Sequence, residues 1–183
     1  MSKLLDKITD ELDAFIKAQK MFFVATAAAT GRVNVSPKGM DSFSVINANK
    51  IVWLNLTGSG NETAAHLLQN DRMTIMFCAF EGKPLILRLY GHAVAYHQDD
   101  EVYKEYIGLF DTMAGARQII VMEVDLVQTS CGFAVPLMDY REQRQILKNW
   151  AEQKGPEQIE AYWKKNNIES IDGFDTGMDN FLN

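Results

Sequence analysis

Basic residues are in short supply. Lys and Arg number 18 against 24 Asp and Glu, for a net charge of −6. A chain short of cations lacks the phosphate-neutralising surface that non-specific nucleic-acid binding needs, so no nucleic-acid partner is expected. Cysteine is scarcer still. Cys78 and Cys131 are far apart and in no CxxC spacing, which excludes a disulfide framework and a zinc knuckle. Three histidines, His66, His92 and His97, form no HExxH pattern, and no metal is expected. Long apolar runs are missing as well. The longest weakly polar stretch, residues 21–30, is half of the roughly 20 residues that a spanning helix needs, so no membrane partner is expected. The opening MSKLLDKITDELDAF is charged throughout and carries no signal-peptide core. A reducing, cytoplasmic setting is the expectation.

What is present is globular material. Apolar residues make up 47% and charged residues 23% of 183 positions. A chain of this length buries roughly 70% of its unfolded surface and fits one domain. Residues 3–19 carry Leu4, Leu5, Ile8, Leu12, Phe15 and Ile16 at helical spacing and predict an amphipathic helix. Runs at 21–29, 32–36, 40–46, 50–56, 72–80, 85–96 and 118–127 read as strands. Pro37 interrupts its strand or places it at an edge, and Gly91 marks a bulge or a close approach. A short helix is predicted at 62–69 and another at 99–110. Residues 131–136 read as extended. Helices follow at about 139–153 and 156–166, split by Gly155-Pro156, and 173–183 reads as loosely ordered. Strands joined by short turns pair antiparallel, and closure into a small barrel removes their exposed edges.

Three stretches can carry chemistry. Thr57-Gly58-Ser59-Gly60-Asn61-Glu62-Thr63 is a polar, Gly-containing loop opening a helix, where unpaired N–H groups favour an anion. Ser59, Asn61 and Thr63 add donors. N-capping by Ser59 or Asn61 explains the same residues, and Glu62 would repel an anion. In Asn34-Val35-Ser36-Pro37-Lys38-Gly39, a broken strand exposes backbone groups beside a cation. An edge strand with a solvated lysine is the plainer reading. Arg88, on the apolar run Leu85 to Tyr90, needs a carboxylate, a phosphate or an exit to solvent. His66 reads as a surface or capping residue, Cys78 as a small buried hydrophobe, and Cys131 as accessible. Trp150, Tyr162 and Trp163 read as packing residues.

The ordered pieces FFVATAAATGRVNVSPKG, IVWLNLTGSGNETAAHLLQNDRMTIMFCAF and LILRLYGHA resemble the pyridoxamine 5′-phosphate oxidase-like family, the FMN-binding split barrels, over residues 10–136. The resemblance implies a mainly β fold, a six-stranded antiparallel split β-barrel with flanking helices, to which this chain adds a C-terminal helical extension. It divides the chain into a flavin-binding barrel domain at 1–136 and helices at 137–183 packed on it. It implies a homodimer with FMN in a cleft between subunits and a small-molecule substrate. It places Ser36 and Lys38 along the flavin, Thr57, Ser59, Asn61 and Thr63 at its phosphate, and the segment 131–136 near the dimer contact.

Several positions depart from the oxidases of that family. Glu62-Thr63 stand where those enzymes carry Arg-Lys, Ile86 where a Gln contacts the flavin, and Asp71 where Pro is usual. The residues that hold the vitamer phosphate and the C-terminal Arg-x-His pattern have no counterparts. A vitamin B6 oxidase is therefore not expected. Lys38, Arg32 or Arg88 would have to compensate for the missing phosphate-directed charge. The implied function is an FMN flavoprotein with oxidoreductase activity on an unidentified small molecule, with no catalytic residue assigned. The alternatives are a protein that binds flavin, deazaflavin or haem without turnover, or a scaffold.

Overall fold

Aromatic and β-branched runs joined by short turns form one antiparallel sheet in the computed structural model, which describes residues 2–182. Met1 and Asn183, and with the latter the last residue of the predicted loose tail, lie outside the described residues. The strands are β1 (Lys3–Leu5), β2 (Phe22–Thr26), β3 (Asn34–Lys38), β4 (Phe43–Asn47), β5 (Lys50–Leu56), β6 (Arg72–Cys78), β7 (Ile86–Tyr96) and β8 (Ala116–Ser130). They lie in the order β3-β2-β6-β7-β8-β5-β4, with β1 also paired to β8. All seven runs read as strands form strands, and β1 makes an eighth, beyond the six that the resemblance implies.

This order has a consequence. β3 and β4 end the sheet on opposite sides, yet only residues 39–42 join them. The sheet must curl until its ends meet. No ladder links β3 to β4 among the described residues, so the barrel is split. Side chains close the gap: Phe22 and Phe43 meet edge-on with centroids 4.9 Å apart, and Phe77 lies 5.1 Å from Phe43. The turn between β3 and β4 runs through Met40 and Asp41 at positive φ, held by the Ser42 hydroxyl donating to the Gly39 carbonyl at 2.7 Å.

Inside the barrel, Phe22, Val24, Ile51, Trp53, Ile75, Phe77, Leu87, Leu89, Ile120 and Met122 form the main core. The other faces of β5 and β8 are covered too. Val52, Leu54 and Ile119 pack beneath Tyr103 and Phe110, from α3 (Glu101–Tyr106) and the turn after it. Strands buried on both faces read as continuous apolar runs, which is how KIVWL and QIIVM look.

Five expectations are corrected. Residues 3–19 are not one helix. Lys3–Leu5 pairs with Val127–Thr129, and α1 (Asp10–Ala18) starts only after Thr9, whose hydroxyl accepts the Leu12 N–H at 3.3 Å. A strand partner outweighs helical periodicity here. The segment 131–136 turns, with the Val135 N–H on the Gly132 carbonyl at 2.9 Å. Residues 139–145 have no regular structure, and α4 (Ile146–Asn166) follows, broken at Gly155 with φ 69° as the Gly-Pro pair predicts. The tail is packed: Glu169 bridges to Asp175, and α5 (Met178–Leu182) buries Met178 against Trp163 and Ile159. α2 (Glu62–Gln69) forms as predicted, but His66 is inside, with Nδ1 3.0 Å from the Thr26 hydroxyl.

Candidate functional site

β3 is an edge strand, so Pro37 breaks no ladder that matters. Alternation turns Asn34, Ser36 and Lys38 to one face. That face meets the loop 58–61, the start of α2, Asn55 of β5 and Arg117 of β8 around a cleft of about 150 Å³.

Arg117 reaches the cleft through a β-bulge. Asn55 pairs with Gln118 and Leu56 with Ala116, so Arg117 has no partner across the ladder. Such an extra residue re-aims its side chain. It is 2% exposed. Its Nη1 donates to the Gly60 carbonyl at 3.2 Å and to Asn167 Oδ1 at 2.7 Å, while Nε is buried without a partner. Burial lowers its pKa to about 10, and the nearby Glu62 carboxylate opposes that shift.

Lys38 holds its ammonium 5.2 Å from the centroid of the buried Trp53 ring. Burial brings its pKa down to about 8, the Arg117 charge pushes the same way, and Glu62 pulls back. Asn61, 2% exposed, precedes α2 without capping it. Its Oδ1 accepts from Asn55 Nδ2 at 3.3 Å and its own Nδ2 is unpartnered. The Ser36 hydroxyl is buried and unpartnered. Thr63 accepts from Asn34 at 3.3 Å. Glu62 folds over Gly60, where a Cβ would come within 2.5 Å of its carboxylate, and accepts the Ile171 N–H at 3.3 Å.

Two cations, an uncapped helix start and unpartnered donors on Ser36, Asn61 and Arg117 face one carboxylate. Buried donors without acceptors are costly, and an anion satisfies them. A larger groove of about 770 Å³, between the stretch 98–116 and the C-terminal helices, has Asp111, Glu152 and Glu160 on its lining and no cation. It does not suit an anion.

Of the residues singled out in the sequence, Ser36, Lys38, Ser59, Asn61 and Thr63 line the cleft together. Thr57 stands behind it. Its hydroxyl donates to the Gly115 carbonyl at 2.7 Å and accepts from Trp163 Nε1 at 2.8 Å, so both capacities are spent on holding the loop. Arg88 lies elsewhere on β7 and donates to the Ser130 hydroxyl at 3.2 Å. Arg32 pairs with Asp172 at the surface. Neither lines the cleft; Arg117 is the second cation, and the sequence reading missed it. The one signal was its place at the margin of the strand run 118–127, where a charged residue reads as turn.

A family model described as Pyridoxamine 5′-phosphate oxidase matches residues 8–131. The pyridoxamine 5′-phosphate oxidase family protein ustO of Aspergillus flavus is 40% identical over 139 residues, which are 73% of this chain and 56% of that protein. The chain thus spans little more than half of that relative's length. Among solved structures, a variant of HupZ from group A Streptococcus is similar with a TM-score of 0.54 at 21% identity, over 67% of this chain and 99% of that one. The FAD binding protein from Mycobacterium smegmatis is similar with a TM-score of 0.51 at 11% identity, over 70% and 98%. These two similarities establish the fold.

Proposed function

The chain belongs to the pyridoxamine 5′-phosphate oxidase family, and from that membership and the cleft we propose that it is an FMN-binding oxidoreductase acting on a small molecule other than a B6 vitamer. The observation that carries the reading is the set of unpartnered buried donors, Ser36 Oγ, Asn61 Nδ2 and Arg117 Nε, beside the Lys38 and Arg117 charges. They fit a phosphate. Lys38, Arg117, Ser36 and Asn61 would hold it, with Ser59 and Thr63 also on the lining. A bound flavin supplies hydride chemistry, and the protein supplies binding, orientation and electrostatics. A flavin accords with the fold, since the Mycobacterium protein sharing it is described as FAD binding.

The cleft of about 150 Å³ is well below the roughly 300–1,000 Å³ that encloses a drug-sized ligand. It suits the phosphate end of FMN, and a second copy of the chain would complete the rest. The working form in this reading is a homodimer. No helix among the described residues is long and apolar enough to cross a membrane. A second reading, a barrel that holds a cofactor without turnover or serves as a scaffold, draws on Glu62, whose carboxylate acts on both cations from beyond ion-pair distance and would repel an anion.

The test is a visible spectrum of the purified protein, before and after excess FMN and desalting. A retained flavin band is expected, with anaerobic bleaching by NAD(P)H. A flavin band that no reductant bleaches supports binding without turnover. A Soret band moves the reading to haem, and no band in either sample overturns it.

A further inference from the structure

Residues beyond 131, outside the family match, do not line the cleft, but one of them stands directly behind it and bonds two residues that do, Arg117 and Gly58. Asn167 is 0% exposed and is held at four points. Its Oδ1 accepts from Arg117 Nη1 at 2.7 Å and its Nδ2 donates to the Gly58 carbonyl at 3.2 Å. Its N–H donates to the Trp163 carbonyl at 2.8 Å, and its carbonyl accepts the Thr176 hydroxyl at 2.6 Å. One side chain therefore ties the guanidinium to the loop that opens α2.

The chemical identity of this clamp matters. Arg117 is bonded by two neutral acceptors, the Gly60 carbonyl and the Asn167 amide, and no ion pair within 4.0 Å neutralises it among the described residues. Buried arginines are usually paired, because an uncompensated charge is expensive to desolvate. An aspartate at position 167 would keep the acceptor for Arg117 and cancel its charge, at the loss of the donor to the Gly58 carbonyl. Asparagine fixes the guanidinium and leaves its charge for a ligand, with Nε, on the cleft-lining side chain, still free.

We propose that Asn167 is a positioning residue for Arg117, through which the C-terminal segment gives the cleft its preference for a phosphate-bearing ligand. The inference rests on the reading of the cleft as the phosphate end of a flavin site. It assigns a binding role to a part of the chain that the barrel itself does not require.

The measurement is the ratio of riboflavin to FMN dissociation constants, from flavin fluorescence, for the full chain and for Asn167→Ala and Asn167→Asp, with thermal melts in parallel. The two flavins differ only in the phosphate, so a general loss of structure weakens both alike and leaves the ratio unchanged. The full chain is expected to prefer FMN by roughly tenfold to a hundredfold, the range of charge-assisted hydrogen bonds. Both variants should lose most of that preference, with riboflavin affinity little changed. Asn167→Asp keeps an acceptor for Arg117 and decides the matter where Asn167→Ala fails to fold. Variants that retain the ratio, or weaken both flavins equally, overturn the proposal. If the unaltered chain binds neither flavin, the flavin reading fails and inorganic phosphate becomes the probe. A saturable rise in Tm with phosphate that Asn167→Asp abolishes supports the positioning role, and equal behaviour of the two proteins overturns it.

Discussion

Lys38 is placed in the cleft at a cost to folding. Its pKa is lowered from 10.5 to about 8, first by burial and then by Arg117. Between those two values the unfolded chain holds the proton and the folded one releases it. Unfolding there takes up a proton, so stability rises with pH from about 8 to 10.5, and below 8 the full penalty of a buried charge applies. Ligand binding runs the other way, because an anion needs the ammonium. FMN affinity should therefore fall as pH rises through about 8. Lys38→Arg, charged at every accessible pH, should flatten that profile. Lys38→Met should weaken FMN binding at pH 7 and raise Tm by a few degrees, on the scale of about 2–4 °C per kcal/mol for a chain of this size. Melts and titrations at pH 7 and 9 check both directions. A Lys38→Met protein that melts lower and binds as before would show that this lysine serves packing alone.

At the scale of elements, bulges decide what alternation cannot. Strand runs, the short helix at 62–69, the edge position of Pro37 and the break at Gly155 were legible, because each rests on local chemistry. So were Ser36, Lys38, Ser59, Asn61 and Thr63 as neighbours, because one loop and one strand carry them. Arg117 was not, since its orientation comes from a register shift against β5 that strict alternation does not encode. β1 was hidden for a related reason: its partner lies over a hundred residues away on β8. The register shift between Tyr90 and Gly91 was marked by its glycine. A Cβ on Gly91 would lie 1.9 Å from the Glu123 carbonyl oxygen and 3.0 Å from the Val124 Cα. Backbone, unlike a side chain, cannot swing aside. Gly91→Ala should therefore destabilise by about 3 kcal/mol or more, near the upper end for overpacking, which lowers Tm by roughly 6–12 °C. A thermal melt within 2 °C of the unaltered protein (a change of ~1 kcal/mol or less) would mean that β7 and β8 part without penalty at this point.

Among the described residues, Phe133 and Leu137 are the most exposed of the large apolar side chains, and both lie in one segment. After β8 the chain runs from 131 to 145 without helix or strand, and along it Phe133 is 81% and Leu137 79% exposed. A segment of this kind is rarely left in water over a contiguous patch. It follows the final barrel strand directly, so a partner seated on it would also lie against the barrel. In the proposed homodimer a second copy would supply such a cover and would complete the cleft. Phe133→Asp combined with Leu137→Asp puts two charges on the patch while removing little from the core, since both side chains are exposed in one copy. The unaltered protein is expected to sediment as a dimer and to retain FMN through desalting. The double variant should sediment as a monomer, release FMN on the same column, and keep its far-UV spectrum. Monomers that still hold FMN would make the cleft of one chain sufficient. A double variant that stays dimeric would move the contact to another face. The coupled loss of dimer and flavin is what a site divided between two copies requires, because the anion-binding end then persists in each copy while the rest of the enclosure is lost.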